Sequence, residues 1–125
     1  MRDRAPDERF PKSKRLLNAG DYSRVFENAQ AKASHKYLLF LATQNVGPGH
    51  RLGLVIAKKS VRLAAQRNRI KRIAREFFRT LPASEPTMDV VLLARPGIDQ
   101  LDNAELSSIL LRQWQKLCQL IPKPE

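Results

Sequence analysis

The chain has 125 residues, of which 23 are Lys or Arg and 12 are Asp or Glu, for a formal net charge of +11. That length gives one domain able to bury roughly two-thirds of its unfolded surface in a single core, and a positive excess of this size points to polyanionic partners, nucleic acid first. No apolar run of about eighteen residues is present to span a membrane, and the single cysteine, Cys118, can form no internal disulfide and has no second cysteine with which to clamp zinc.

Residues 1–15 contain Pro6, Pro11 and charges of both signs, with Asp3, Asp7 and Glu8 among the basic residues. They lack the apolar stretch of a secretory signal, so a flexible basic N-terminal segment on a cytoplasmic protein is expected. Asn18 followed by Asp21 reads as a helix start, and Tyr22, Val25, Phe26 and Ala29 then recur at helical spacing over about three turns. The two aromatics of that helix fit either a core face or a binding platform.

Residues 37–43 are rich in strand formers and end at the turn signal Asn45-Val46-Gly47-Pro48-Gly49; residues 52–57 return as a second strand, predicting an antiparallel pair across that loop. Both alternations of 37–43 are apolar. One face is expected to cover the core and the other to hold Leu38 and Phe40, and an open Phe40 needs a partner. Unpaired bases stack on such rings at about 1–3 kcal/mol each.

After Lys58-Lys59-Ser60 a helix is predicted to start between Arg62 and Gln66 and to end near Pro82. Ile70, Ile73, Ala74, Phe77, Phe78 and Leu81 make one apolar stripe along it. The opposite face carries Arg62, Arg67, Arg69, Lys71, Arg72, Arg75 and Arg79 against a single acid, Glu76. Arg67, Lys71, Arg75 and Arg79 repeat every four residues, and like-charged pairs at that spacing cost a few tenths of a kcal/mol each. Such a ladder costs stability unless something anionic sits on it.

Residues 84–87, with Pro86, read as a loop, and 89–95 as a near-continuous apolar strand stopped by Pro96-Gly97. Strand, helix, strand predicts a βαβ unit whose outer strands are parallel. Asp102 with Glu105 is a capping pair for a last helix, lined by Leu106, Ile109, Leu110, Trp114, Leu117, Cys118 and Ile121 and ended by Pro122. Cys118 on that apolar face reads as a buried thiol. A single domain over 16–121 with a tail at 122–125 follows.

Catalytic constellations are missing. His35 and His50 fall in or beside loops without metal-ligand spacing and read as solvated or phosphate-side histidines; no glycine-rich phosphate loop opens a helix, no G-x-S-x-G occurs, and the acids are scattered. No catalytic residue and no metal site is expected. The sequence supplies a binding surface instead: a basic helix, two lysines at a strand end, and aromatics nearby. Arginine's planar fork suits phosphate, and aromatic platforms beside it imply unpaired bases. A ribosomal type of RNA binder is the nearest alternative. A DNA-reading helix would want Asn, Gln or Ser beside Arg in the major groove, for which Asn68 is slender support.

The string Arg67-Asn68-Arg69-Ile70-Lys71-Arg72, preceded by Gly53-Leu54-Val55-Ile56-Ala57-Lys58-Lys59 and followed by Arg75-Glu76-Phe77-Phe78-Arg79, closely resembles the bacterial ribonuclease P protein subunit. Residues 21–26, 89–95 and 101–114 extend the likeness over roughly residues 15–120. The resemblance implies a ribonucleoprotein in which a large RNA performs the Mg²⁺-dependent removal of the 5′ leader from precursor tRNA while the small protein assists, with Mg²⁺ bound mainly by the RNA and none by the protein alone. It places Arg67, Asn68, Arg69, Lys71, Arg72 and Arg75 against the catalytic RNA. A cleft between the sheet and the first helix then takes the single-stranded leader, lined by Tyr22, Phe26 and Phe40 with Lys58, Lys59 and Lys71 at its edges. Tyr22 stands where phenylalanine is common, and Ala57 where serine is. The implied partners are the catalytic RNA and the precursor's leader, with no membrane and no obligate protein partner. The implied fold is α+β, a compact α/β sandwich of a four-stranded mixed sheet and three helices in the order α-β-β-β-α-β-α, with helices on one side and a left-handed βαβ crossover; the fourth strand is expected near residues 33–36. If about six phosphates are neutralised, the log–log salt slope of RNA binding is expected near −4 to −5.

Overall fold

The computed structural model describes residues 15, 16, 18–45, 47, 49–81 and 87–121. The expectations for the N-terminal segment up to residue 14, for Pro82 and the loop through Pro86, and for the tail from Pro122 lie outside the described residues. Three α-helices and four strands follow in the order α1 (Ala19–Asn28), β1 (Ala31–Ser34), β2 (Leu38–Gln44), β3 (Arg51–Val55), α2 (Ala64–Arg79), β4 (Met88–Ala94) and α3 (Asn103–Leu120), with a 3-10 turn at Ile98–Gln100 before α3.

Local signals set the helix ends. The Asn18 side chain accepts from Asp21 N at 2.9 Å at the start of α1, satisfying one of the orphan donors of a first turn. At the start of α3, Asp102 and Glu105 exchange side-chain to backbone bonds of 2.8 and 2.9 Å, a complete capping box. Gly97, with φ of 98°, makes the left-handed step out of β4 that Pro96-Gly97 announces. A Cβ there would also come within 2.8 Å of the Tyr37 ring.

The sheet order is β1-β2-β4-β3, with β3 and β4 parallel and the other pairs antiparallel. The parallel pair joined through α2 is as expected. The antiparallel pairing of the second and third strands is not: β4 inserts between them. Both β2 and β4 are apolar on the two alternations, and a strand covered on both faces belongs at the centre of a sheet. The shorter β3, with Arg51 and Gly53, takes an edge. The first strand ends two residues earlier than expected because His35 N donates to Leu38 O at 2.8 Å, closing a tight turn.

Helices cover both faces rather than one. On one face α2 and α3 bury Leu38, Phe40, Ala42, Leu52, Val90 and Leu92 beneath Ile70, Phe78, Leu110 and Trp114. On the other, α1 covers Leu41 and Val91 with Val25. Phe40 is therefore a core residue, 1% exposed, with its ring edge-on to Trp114 at 6.3 Å. Leu38 and Phe40 occupy the α3 side, and the face open toward α1 carries Leu39 and Leu41 instead; with both alternations apolar, sequence periodicity cannot assign the two faces. His50 also departs from expectation. It is 8% exposed, packs edge-on against Phe78 and Trp114, and accepts from Met88 N at 3.0 Å through Nδ1. Cys118 is partly rather than fully buried. Ahead of α1, Arg15 already bridges to Leu52 and Leu16 N donates to Leu52 O at 3.1 Å, so the fold begins inside the stretch expected to be flexible.

Candidate nucleic-acid interface

The α1 face of the sheet is built in three rows set by strand register. At one end Thr43, Asp89 and Arg51 lie side by side. Asp89 is fully buried, and an isolated carboxylate there would be prohibitively costly. Arg51 grips it bidentately, with Nε to Oδ1 at 2.8 Å and Nη2 to Oδ2 at 2.6 Å, and Asn45 Nδ2 donates to Oδ1 at 2.8 Å. Arg24 of α1 donates to the same carboxylate, and Asp21 of α1 stands 3.7 Å from Arg51. This polar knot fixes the tilt of α1 on the sheet.

The middle row, Leu41, Val91 and Gly53, is covered. Tyr22 lies directly on Gly53: a Cβ at that position would sit 2.7 Å from two ring carbons. The phenol oxygen accepts from Leu54 N at 3.2 Å, which gives the hydroxyl of Tyr22 a structural role that phenylalanine could not fill. The last row, Leu39, Leu93 and Val55, is only half-buried and packs on the Tyr22 side of the cluster. One helical turn beyond Tyr22, Phe26 is 46% exposed. The result is a half-open apolar floor with one ring seated at its edge and a second ring free on the helix.

Positive charge frames this floor. Lys32, exposed on β1, faces the α1 side opposite Leu41. Lys58 and Lys59 are exposed on the turn after β3, which is held by Ser60 N and Val61 N donating to Ala57 O at 3.0 Å and anchored by the fully buried Val61. Of the expected cleft residues, Tyr22 and Phe26 belong to the α1 side, while Lys58 and Lys59 stand on the turn that leads from the β3 edge to α2. Phe40 does not belong to the α1 side, because it points into the opposite core. Nor does Lys71, which projects from α2, and α2 packs on the other face of the sheet. Sequence reading missed Leu39, Val55 and Leu93 as the floor, and Arg24, Arg51 and Asp89 as its anchor. One signal was available: an acid opening an otherwise apolar strand has to be paired.

The basic helix divides into two functions. Arg67 Nη1 donates to Val61 O and Arg62 O, both at 2.9 Å, tying the lysine turn to α2. Arg69 reaches across to the segment before α3, donating to Asn103 Oδ1 at 2.7 Å, Leu101 O at 2.9 Å and Asp99 O at 3.3 Å, and to Gln66 Oε1 at 2.8 Å. Arg79 pairs with Glu76, which raises its pKa through that hydrogen bond and charge. The ladder of like charges is therefore relieved at its ends from within the chain. Asn68 and Arg72 are exposed, and Lys71 and Arg75 are half-buried. Arg62, Lys71 and Arg72, with Lys58 and Lys59 on the turn, remain as the outward cations of this surface.

Among the described residues no three His, Cys, Asp or Glu side chains come together in a way that could hold a metal ion. Asp89, the one fully buried carboxylate among the described residues, already has its oxygens taken by Arg24, Arg51 and Asn45. No described helix is long and apolar enough to cross a membrane.

The family model for ribonuclease P matches residues 10–118. A ribonuclease P protein component from Chromohalobacter salexigens is 47% identical over 111 residues, covering 89% of this chain and 87% of that one. The component from Pseudomonas aeruginosa PAO1 is 42% identical over 116 residues, covering 93% and 86%. Among solved structures, the ribonuclease P protein of Staphylococcus aureus superposes with a TM-score of 0.76 over 89% of this chain and 100% of that one, at 21% identity, a likeness of fold. Together with an α+β sheet that presents a basic helix on one face and an apolar floor on the other, these matches establish that the chain belongs to the ribonuclease P protein family.

Proposed function

We propose that this protein is the protein component of a bacterial ribonuclease P, binding the catalytic RNA through the basic surface of α2 and the turn before it, and the single-stranded 5′ leader of precursor tRNA across the floor formed by Leu39, Leu93 and Val55. The observation that carries the second half is the half-open apolar row beside Tyr22, the exposed Phe26 and Lys32, with Lys58 and Lys59 on the turn at the β3 edge where the two surfaces meet. A duplex buries its bases against one another; rings and apolar side chains beside lysines suit bases that are unstacked. In this reading the RNA is the catalyst, and the Mg²⁺ on which cleavage depends would be held mainly by that RNA, in the cytoplasm. The chain's own part is to hold the leader by stacking and charge, so that the cleavage site is presented to the RNA, and to lower the repulsion between two polyanions.

Phe26 is the discriminating residue, because its ring contributes little to the core. Phe26→Ala in the reconstituted holoenzyme is expected to weaken precursor tRNA binding by about 1–3 kcal/mol, the worth of one base stacked on an aromatic ring, with mature tRNA affinity and thermal stability unchanged. Equal losses for precursor and mature tRNA would contradict the leader assignment. Phe40→Ala is no such probe, since removing a buried phenylalanine costs about 3–5 kcal/mol of folding stability.

A further inference from the structure

A third concentration of positive charge lies at the turn joining β1 to β2, apart from the α2 surface. His35 stands at its centre, its Nδ1 accepting from Tyr37 N at 3.1 Å, which in the neutral ring leaves the proton on Nε2. Partial burial, then the charges of Arg112 and Lys116 on α3, Arg95 at the end of β4 and Lys36 in the turn, hold its pKa below the ordinary histidine value. Among the described residues, the charged groups acting on this imidazole are all positive. Arg95 is fixed in place, Nη1 donating to His35 O at 2.7 Å and Ser34 Oγ at 3.1 Å, whereas Lys36, Arg112 and Lys116 are exposed. No ion pair among the described residues joins any of these four cations to a carboxylate. Three separate elements thus converge to place like charges together, at a cost in self-repulsion that a bound anion would offset.

The position of the cluster indicates which anion. In the order β1-β2-β4-β3 the α2 surface lies toward the β3 edge and this cluster at the β1 edge, where α3 packs. Leu39 of the apolar floor is directly opposite Ser34, the residue to which Arg95 is bonded. A strand crossing the floor from Val55 through Leu93 to Leu39 therefore arrives at Arg95; Arg112 and Lys116 are on α3, which packs against β1 from the opposite face, so the strand meets them by turning over the β1 edge.

We propose that Lys36, Arg95, Arg112 and Lys116, gathered around His35, form a phosphate-binding surface for the 5′-distal part of the leader after it has crossed the floor. The proposal rests on the floor being the leader's path. It predicts that leader length beyond the floor adds affinity and that His35 registers occupancy, since phosphates would neutralise the four charges that depress its pKa.

The test compares holoenzyme affinity for precursor tRNAs with no leader, a leader of about four nucleotides and one of about twelve, within the span that single-strand sites cover. The wild type is expected to bind the longest leader most tightly. In the double variant R112Q/K116Q the gain from the distal nucleotides should vanish while the short-leader affinity is kept, and the log–log salt slope for the long-leader substrate should fall by about 1.4, the value for two single-strand phosphates. Both positions are exposed, so the fold is retained. In the full-length protein followed by NMR, a single-stranded oligonucleotide of the longer length should raise the pKa of His35. An unchanged long-leader affinity in the variant, or a His35 pKa unaffected by the oligonucleotide, overturns the proposal. Loss of affinity for the catalytic RNA itself also overturns it, assigning the cluster to that RNA. A wild type that gains nothing even from the short leader removes the floor reading, and the proposal with it.

Discussion

Raising the salt from about 50 to about 200 mM is expected to weaken binding of the catalytic RNA roughly 100- to 500-fold, a log–log slope near −3.5 to −4.5. The figure follows from about five outward cations, Lys58, Lys59, Arg62, Lys71 and Arg72, each displacing about 0.7 to 0.9 counterions from the RNA. It is smaller than a count along the sequence gives, because Arg67 and Arg69 spend donors on backbone carbonyls of their own chain. That division makes a sharp contrast between neighbours. Arg72→Ala should flatten the slope by about 0.7 to 0.9 and leave stability alone. Arg69→Ala should leave the slope nearly unchanged and lower stability by about 1–3 kcal/mol, since the carbonyls of Asp99 and Leu101 lose a charged donor in a part-buried site. Filter binding over a salt series, with denaturant melts of the same proteins, measures both. A slope near −1, or the same response in the two variants, would contradict the assignment of this surface.

Asp89→Ala is expected to cost about 3 kcal/mol, the low end for removing one partner of a buried ion pair, because the guanidinium groups of Arg24 and Arg51 that it strands are 40% and 30% exposed. Two guanidinium groups and the Asn45 amide converge on that carboxylate, so the loss strikes a large part of a folding free energy of about 5–15 kcal/mol. The location gives the effect its character. Asp89 joins α1 to the sheet, on the opposite face from α2. In protein that remains folded at low temperature, contacts of Tyr22 and Phe26 with the leader should weaken while α2 still engages the catalytic RNA. A denaturant midpoint within error of the wild type would show that the knot is dispensable. Replacing Arg24 alone should cost less, because its side chain is 40% exposed and Arg51 continues to hold both carboxylate oxygens.

The helices were legible in the sequence because their signals are local. Asn18 and the Asp102–Glu105 pair mark helix starts by side-chain chemistry confined to one turn, and the apolar stripe from Ile70 to Phe78 fixes the buried face of α2 by spacing alone. The sheet was less so. A strand with both alternations apolar, as in β2, gives periodicity no means of choosing which side faces which helix, and this misplaced Phe40. The insertion of β4 between β2 and β3 is a pairing across more than thirty residues in sequence, which turn chemistry near Gly47 and Gly49 cannot announce. The same limit applies to the basic helix: charge density marked it as a surface, but only the packing of α2 against the segment before α3 separates Arg69, a clamp, from Arg72, an open cation. Gly53 was part of the matching string, and its reason is steric, the Tyr22 ring resting where a side chain would be.

The most direct measurement is single-turnover 5′ processing of a precursor tRNA by the partner catalytic RNA at low Mg²⁺, with and without the protein. A large gain in rate or substrate affinity on adding the wild-type protein, reduced by Phe26→Ala only for substrates that carry a leader, is the predicted result. No gain, with tight binding to a different structured RNA, would contradict the account.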